Sequence, residues 1–276
     1  MALKLEDFQF ISDIARQNAA IVIETGKEYL VETRLEPLAR QEGFGSIEAL
    51  ITQVRLQKGF GPLHAKIVDA LTTNETFFFR DFHPFEAMRL KVLPGLISTR
   101  AATKRLTIWS AACSSGQEPY SLAMMIREHF PQLRDWSIKI LATDLSPTIL
   151  GQARTGRYTQ LQVNRGLPAI YLVKYFAQKD GAWLIKDDIK SMIEFREMNL
   201  AQPWPMLPAF DVVFLRNVMI YFDVETKKSI LRRLRACTLP HSHLFLGTAE
   251  TTMNLDTGWK PATLGSAVAY QHAMAA

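Results

Sequence analysis

Residues 106–121 read Leu106-Thr107-Ile108-Trp109-Ser110-Ala111-Ala112-Cys113-Ser114-Ser115-Gly116-Gln117-Glu118-Pro119-Tyr120-Ser121, and the fold is decided here. The first four residues are short, apolar and rich in β-branching, the composition of a buried parallel strand. The run 111–116 is built of small residues and ends in glycine, which lets a backbone turn tightly and approach a ligand. Residues 117–121 open a helix that continues through Ile126, and Pro119 costs little near a helix start, where backbone N–H groups are unpaired anyway. Strand, small-residue turn and helix form the nucleotide-binding corner of a Rossmann-like sheet. A single glycine stands where such corners carry G-x-G-x-x-G, and an ordinary β–α turn accounts for the same residues.

The neighbouring segments add polar residues at one predicted sheet edge. Residues 136–144 (WSIKILATD) predict a second strand ending in Asp144, at the spacing of an acid that accepts hydrogen bonds from ribose hydroxyls. Capping of the following helix is the other role open to Asp144. Residues 192–199 predict a third strand delivering Asn199-Leu200, and the run FDVVFL within 210–218 predicts a fourth that delivers Arg216-Asn217. In an open α/β sheet, ligands bind at the carboxyl ends of the strands. A basic helix at 224–237, a fifth strand at 243–248 and a terminal hairpin at 261–272 complete the sheet.

Between the second and third strands, residues 155–190 break the alternation of strand and helix. Asp180-Gly181 between apolar runs signals a hairpin, which predicts an inserted antiparallel flap of two or three strands, basic through Lys174, Lys179, Lys186 and Lys190. Upstream, TTNETFFFRDF (72–82) sets three phenylalanines in a row. On any regular element these point in different directions, which suits either a linker packed between domains or a lid whose Arg80 reaches a carboxylate. Residues 83–100 predict a helix interrupted at Pro94-Gly95.

The first 70 residues read as helices with apolar positions at helical spacing, broken at Gly43-Phe44-Gly45 and again at residues 59–62. They hold 8 Lys and Arg against 10 Asp and Glu, whereas the remainder holds 24 against 17. The basic part suits an acidic partner, protein or nucleic acid. The hydrophobic content of 48% fits a globular chain with a full core. No apolar run approaches the roughly 18–20 residues that span a bilayer. Two cysteines, Cys113 and Cys237, form neither a disulfide framework nor a metal cluster, so a reducing cytoplasm is expected.

With these residues in view, the sequence resembles the CheR family of chemotaxis receptor methyltransferases. The resemblance is carried by Thr72–Arg80 (TTNETFFFR), by 112–121 (ACSSGQEPYS), by Ala142-Thr143-Asp144 and by 214–222 (FLRNVMIYF), and it spans nearly the whole chain. It implies a Rossmann-like methyltransferase sheet of α/β class at 101–276, with a small antiparallel β-subdomain inserted at about 165–195. An all-α domain at 1–71 and a linker and cofactor lid at 72–100 precede it. The implied cofactor is S-adenosyl-L-methionine, leaving S-adenosyl-L-homocysteine. By the resemblance, Asn74, Thr76 and Arg80 surround its amino-acid end, and Ala112 lines the same turn. Glu118 and Asp144 hold its amino group and ribose, while Asn199, Leu200, Arg216 and Asn217 line its adenine and methionine side. Tyr221 lies near the transferred methyl, and Arg216 or Tyr221 orients the acceptor.

The implied reaction is O-methylation of glutamate side chains on the cytoplasmic helical region of chemoreceptors. A free glutamate has a pKa of about 4.3 and is already ionised at neutral pH, so no general base is needed. The expected location is the cytoplasm with recruitment to membrane receptor arrays, without membrane insertion, and there is room for a regulatory protein partner. The hairpin turn at 177–182 is short, which speaks against binding of a receptor's C-terminal tether pentapeptide. Methylation of another protein or of nucleic acid is an alternative, though the N/D-P-P-Y/F motif of base methylation is missing. A non-catalytic cofactor-binding module is another.

Overall fold

The computed structural model describes residues 3–273 and divides into two compact units. The first comprises residues up to Thr73 together with the short pieces Asn199–Pro203 and Tyr221–Thr226. Its helices are α1 (Leu5–Ala19), α2 (Glu28–Gln41), α3 (Ile47–Leu56) and α4 (Pro62–Leu71). Phe8, Ile11, Val31, Leu35, Leu50, Val54 and Ile67 are buried, so each helix turns an apolar stripe inward. The breaks fall where the glycines predict them, and the Ser46 hydroxyl caps α3 by accepting from the Ala49 N–H.

The second unit comprises Asn74–Met198, Trp204–Ile220 and Lys227 onward. It opens on α5, which runs from His83–Ala87 through a π-helical stretch, Met88–Val92, into Leu93–Arg100. The quoted stretch then forms β1 (Arg105–Ala111), a turn at 112–116 and α6 (Gln117–His129). β2 (Ser137–Asp144) and α7 (Pro147–Thr155) come next. The small sheet is made of β3 (Arg157–Tyr158), β4 (Phe176–Lys179) and β5 (Ala182–Ile185). It carries three short helices, α8 (Gln160–Asn164), α9 (Ala169–Tyr175) and α10 (Asp187–Lys190). The chain returns to the large sheet with β6 (Ile193–Glu197), β7 (Phe210–Leu215), α11 (Val224–Ala236), β8 (Thr238–Leu246), β9 (Trp259–Leu264) and β10 (Ala267–His272).

The large sheet has the order β6-β2-β1-β7-β8-β10-β9. Its first five strands are parallel, and β10 pairs antiparallel with both β8 and β9. β7 is buried along its whole length, as its apolar run 212–215 predicts, with Asp211 buried on the Arg100 guanidinium and the Thr107 N–H. From β1 the strand order runs one way through β2 and β6 and the other way through β7 and β8. The crevice of a doubly wound sheet opens where the order reverses, so the turn 112–116 stands at the switch point.

The inserted sheet begins earlier than the expected 165, at β3, and residues 193–195 belong to the large sheet through β6. The apolar run 171–175 is helical, its start fixed by Pro168 in the N-cap position with extended backbone. The flap hairpin itself is a two-residue turn: Asp180 (φ +49°) and Gly181 (φ +70°) are both left-handed, the conformation that Asp-Gly favours. β8 begins at Thr238, ahead of the expected 243, because Pro240 and the polar residues 241–243 continue the strand. Two of the three consecutive phenylalanines enter the core of this unit. Phe78 lies edge-on to Tyr158 and Phe176, and Phe79 packs on Phe85 and Tyr171. Phe77 faces outward under the Arg165 guanidinium, 4.5 Å from the ring centre.

Candidate functional site

The turn after β1 is held in conformations that side chains resist. Ala112 (φ +60°) and Ser114 (φ +51°) are left-handed non-glycine residues, and Gly116 lies at φ +92°. Each such non-glycine residue costs of order 1–3 kcal/mol and persists only where its surroundings over-determine it. Here they do. The Ser114 N–H donates to Asp144 Oδ2 at 2.7 Å, the Ser114 hydroxyl donates to the Asn74 carbonyl at 2.9 Å, and the Tyr158 hydroxyl donates to the Ser115 carbonyl at 2.7 Å. A Cβ on Gly116 would stand 3.1–3.2 Å from Ala153, Tyr120 and Tyr158, so the turn is also pinned against α7 and the small sheet.

Asp144 is therefore not merely the end of β2. One carboxylate oxygen anchors the turn and the other accepts from the Ser146 N–H at 3.0 Å, while α7 is capped by the Ser146 hydroxyl. The capping role open to Asp144 in the sequence is taken by Ser146. Cys113, beside Asp144, is fully buried, and burial followed by the Asp144 and Glu118 charges pushes its thiol well above the usual range. It is a packed thiol, not a nucleophile.

Behind the turn lies a buried ionic cluster. Glu118, in the first turn of α6, accepts from the Ser110 hydroxyl at 2.8 Å and from Arg216 Nη1 at 2.9 Å. Arg216 Nη2 donates to Asp81 Oδ2 at 2.6 Å and to the Arg80 carbonyl at 2.8 Å, and the Arg216 side chain is only 1% exposed. Phe79, Asp81 and Phe82 are all left-handed, so Arg216 ties down a strained strap. Arg80 donates from Nη1 to the Glu75 carbonyl at 2.7 Å. Arg216 is engaged by the chain's own groups. Both of its terminal nitrogens are committed to Glu118 and the strap, and its Nε is buried without a hydrogen-bond partner among the described residues.

The structure thus brings Asn74, Arg80, Ala112, Glu118, Asp144 and Arg216 to one edge of the sheet, with Asn217 (φ +57°) following Arg216. Thr76 lies on the same strap and helps line a cavity of about 590 Å³ with Asn74, Ser115, Gln117 and Gln162. Asn199, Leu200 and Tyr221 belong to the first unit. There the Asn199 amide is spent on its own surroundings, donating to the Asn18 carbonyl at 2.6 Å and accepting from the Ala201 N–H at 2.9 Å. The Tyr221 carbonyl accepts from the Val22 N–H at 3.0 Å. Two residues of the second unit escaped sequence reasoning. Asp81 gave no signal apart from its neighbour Arg80. Glu250 follows the small-residue turn at the tip of β8, so the strand-tip argument extended by one strand would have reached it.

S-adenosylmethionine fits this donor set. The carboxylates of Asp81, Glu118 and Asp144 outnumber the guanidiniums of Arg80 and Arg216 by one. The cofactor carries an ammonium and a sulfonium against one carboxylate, so the charges are complementary.

Comparison with known proteins agrees with this assignment. The model of the CheR methyltransferase SAM-binding domain matches residues 74–265, and that of the CheR methyltransferase all-alpha domain matches residues 6–72. The chain is 42% identical over 270 residues to Chemotaxis protein methyltransferase 1 of Pseudomonas aeruginosa, covering 96% of this chain and 97% of that protein. It is 40% identical to Chemotaxis protein methyltransferase Cher2 of Pseudomonas putida over the same shares, and 38% identical to Chemotaxis protein methyltransferase 1 of Vibrio cholerae, covering 91% and 90%.

Proposed function

The chain belongs to the CheR methyltransferase family, and on that premise we propose that it methylates glutamate side chains on the cytoplasmic helical region of chemoreceptors. The chain is an S-adenosylmethionine-dependent methyltransferase; the identity of its acceptor is the proposed step. The products are glutamyl methyl esters and S-adenosylhomocysteine. The observation that carries the reading is the strained turn at the β1 switch point with Asp144, Glu118 and the Asn74–Arg80 strap gathered around it.

When bound, the cofactor supplies an electrophilic methyl on a sulfonium. The protein's residues then have binding and alignment to do rather than proton transfer, because the acceptor carboxylate is ionised at neutral pH. Asp144 has the geometry to take ribose hydroxyls while it holds the Ser114 turn. Glu118, fixed by Ser110 and Arg216, presents negative charge toward an ammonium, and Arg80 offers a guanidinium to a carboxylate. Tyr221 is the residue we assign beside the transferred methyl. Rate enhancement would come from lining up carboxylate oxygen, methyl and sulfur, and from excluding water.

No helix among the described residues is long and apolar enough to cross a membrane, so work at receptor arrays would require recruitment. The two-residue turn at Asp180-Gly181 leaves little chain to hold a receptor's C-terminal pentapeptide, and tether-independent action is part of the proposal. Transfer of labelled methyl from the cofactor to receptor-containing membranes, released by mild base as methanol, tests the reading. Base-stable label, or label on DNA or RNA controls in place of receptors, would overturn it.

A further inference from the structure

One carboxylate outside the expected cofactor set gathers the loop that carries Arg216 and Asn217. Glu250 Oε2 accepts from the backbone N–H groups of Gly247 at 2.7 Å and Asn217 at 2.8 Å, and Oε1 accepts from those of Val218 at 2.9 Å and Ile220 at 3.3 Å. The segment after β8 folds back to make this possible, with the Glu250 N–H donating to the Gly247 carbonyl at 2.9 Å. Gly247 is closed in by the same loop: a Cβ there would stand 2.7 Å from Asn217 Nδ2, 2.8 Å from Glu250 Oε2 and 2.9 Å from Asn217 N. Asn217 is left-handed, a conformation that carries an energetic cost for a residue with a side chain. Three charge-assisted bonds to residues 217, 218 and 220 offset that cost.

We propose that Glu250 is a positioning residue for cofactor binding, acting through the backbone of residues 217–220 to set the placement of Asn217. The proposal rests on the reading that Asn217 contacts the cofactor. Its chemistry requires a carboxylate in particular. Each oxygen takes two N–H donors, so glutamine would place its own NH2 group against two of them whichever way the amide is turned. Aspartate is one methylene shorter and reaches fewer of the four.

The test is calorimetric titration of S-adenosylhomocysteine into the parent chain, Glu250→Gln, Asn217→Ala and the double variant, with KM for S-adenosylmethionine and kcat measured alongside. Glu250→Gln and Asn217→Ala are each expected to weaken binding by about tenfold or more. The double variant is expected to bind within about threefold of the weaker single one, because the second change removes a contact already lost. KM should rise while kcat at saturation falls less than about threefold. Gly247→Ala, whose Cβ would press on both the Glu250 carboxylate and Asn217, should weaken binding in the same direction. Losses that multiply in the double variant would overturn the proposal, as would Glu250→Gln affinity within about twofold of the parent, or losses that only track a smaller folded fraction. A parent chain that does not bind S-adenosylhomocysteine would overturn the cofactor reading first, and the proposal with it.

Discussion

Replacing Arg216 by methionine keeps the volume and apolar stem of the side chain while removing its charge, and burial sets the cost. The Arg216 side chain is 1% exposed, that of Glu118 10% and that of Asp81 32%. In Arg216→Met the Glu118 carboxylate stays buried with only the Ser110 hydroxyl on it, and a buried ion pair broken on one side costs about 3–5 kcal/mol. Asp81 is a third exposed and can turn to water, so its share is small. The strap 79–82 additionally loses the donor to the Arg80 carbonyl that helps hold its left-handed residues. We therefore expect a loss of about 3–5 kcal/mol. Adding Glu118→Gln should recover about 1–2 kcal/mol, since it removes the stranded charge while keeping the hydrogen bond to Ser110. Urea unfolding monitored by tryptophan fluorescence reads the right part of the molecule. All five tryptophans, at 109, 136, 183, 204 and 259, lie in the second unit, so the signal reports on that unit. A loss below about 1 kcal/mol in Arg216→Met, or simple addition of the two single losses in the double variant, would refute the clamp.

Tyr221→Phe should lower kcat about tenfold with KM for S-adenosylmethionine unchanged, the pattern of a group that acts only in the transition state; full turnover with unaltered acceptor affinity removes Tyr221 from catalysis. Stability should fall on acidification through histidines held neutral. Burial, then the neighbouring His241, lowers His243 to about 4, and burial also lowers His129 and His272. The unfolded chain protonates near pH 6.5 while the folded one does not, so this stability is complete above about 6.5 and drains away between there and about 4. The drain is at most about 1.4 kcal/mol per pH unit for each histidine, and His243→Gln should flatten the urea midpoint against pH over that window. A receptor's C-terminal pentapeptide should give no heat of binding in calorimetry, and a measurable affinity would contradict tether independence.

The central strands were legible because they are mostly buried and rich in apolar residues, as 106–109 and 210–215 are despite Thr107 and Asp211. The small sheet was legible only at Asp180-Gly181, where turn chemistry is local. Residues 171–175 were not legible as a helix: a short, mostly apolar run of five residues suits either element, and packing of Tyr171 on Phe79 decides. At the site, position at a strand tip pointed to Asp144, whereas Glu118, in the first turn of a helix, was reached only through the family resemblance. What they bind within the chain could not be read, because Asp81 and Arg216 lie 135 residues apart and Asn217 and Glu250 lie 33 apart.

That long-range wiring has a consequence for how the site tolerates its own charges. Glu118 and Asp144 stand near one turn, both buried, and two bare carboxylates there would repel each other and pull on solvent. Each is instead given donors from the chain: backbone N–H groups for Asp144, a hydroxyl and a guanidinium for Glu118. A pair neutralised one-to-one would leave nothing for a cationic ligand. By sharing Arg216 between Glu118 and Asp81, the fold leaves the group of three acids and two guanidiniums one negative charge in excess. The same shared guanidinium fastens the strap that carries Asn74, Thr76 and Arg80. Charge balance and the hold on the strap thus meet in one side chain, Arg216, which links Glu118 to Asp81 and to the Arg80 carbonyl.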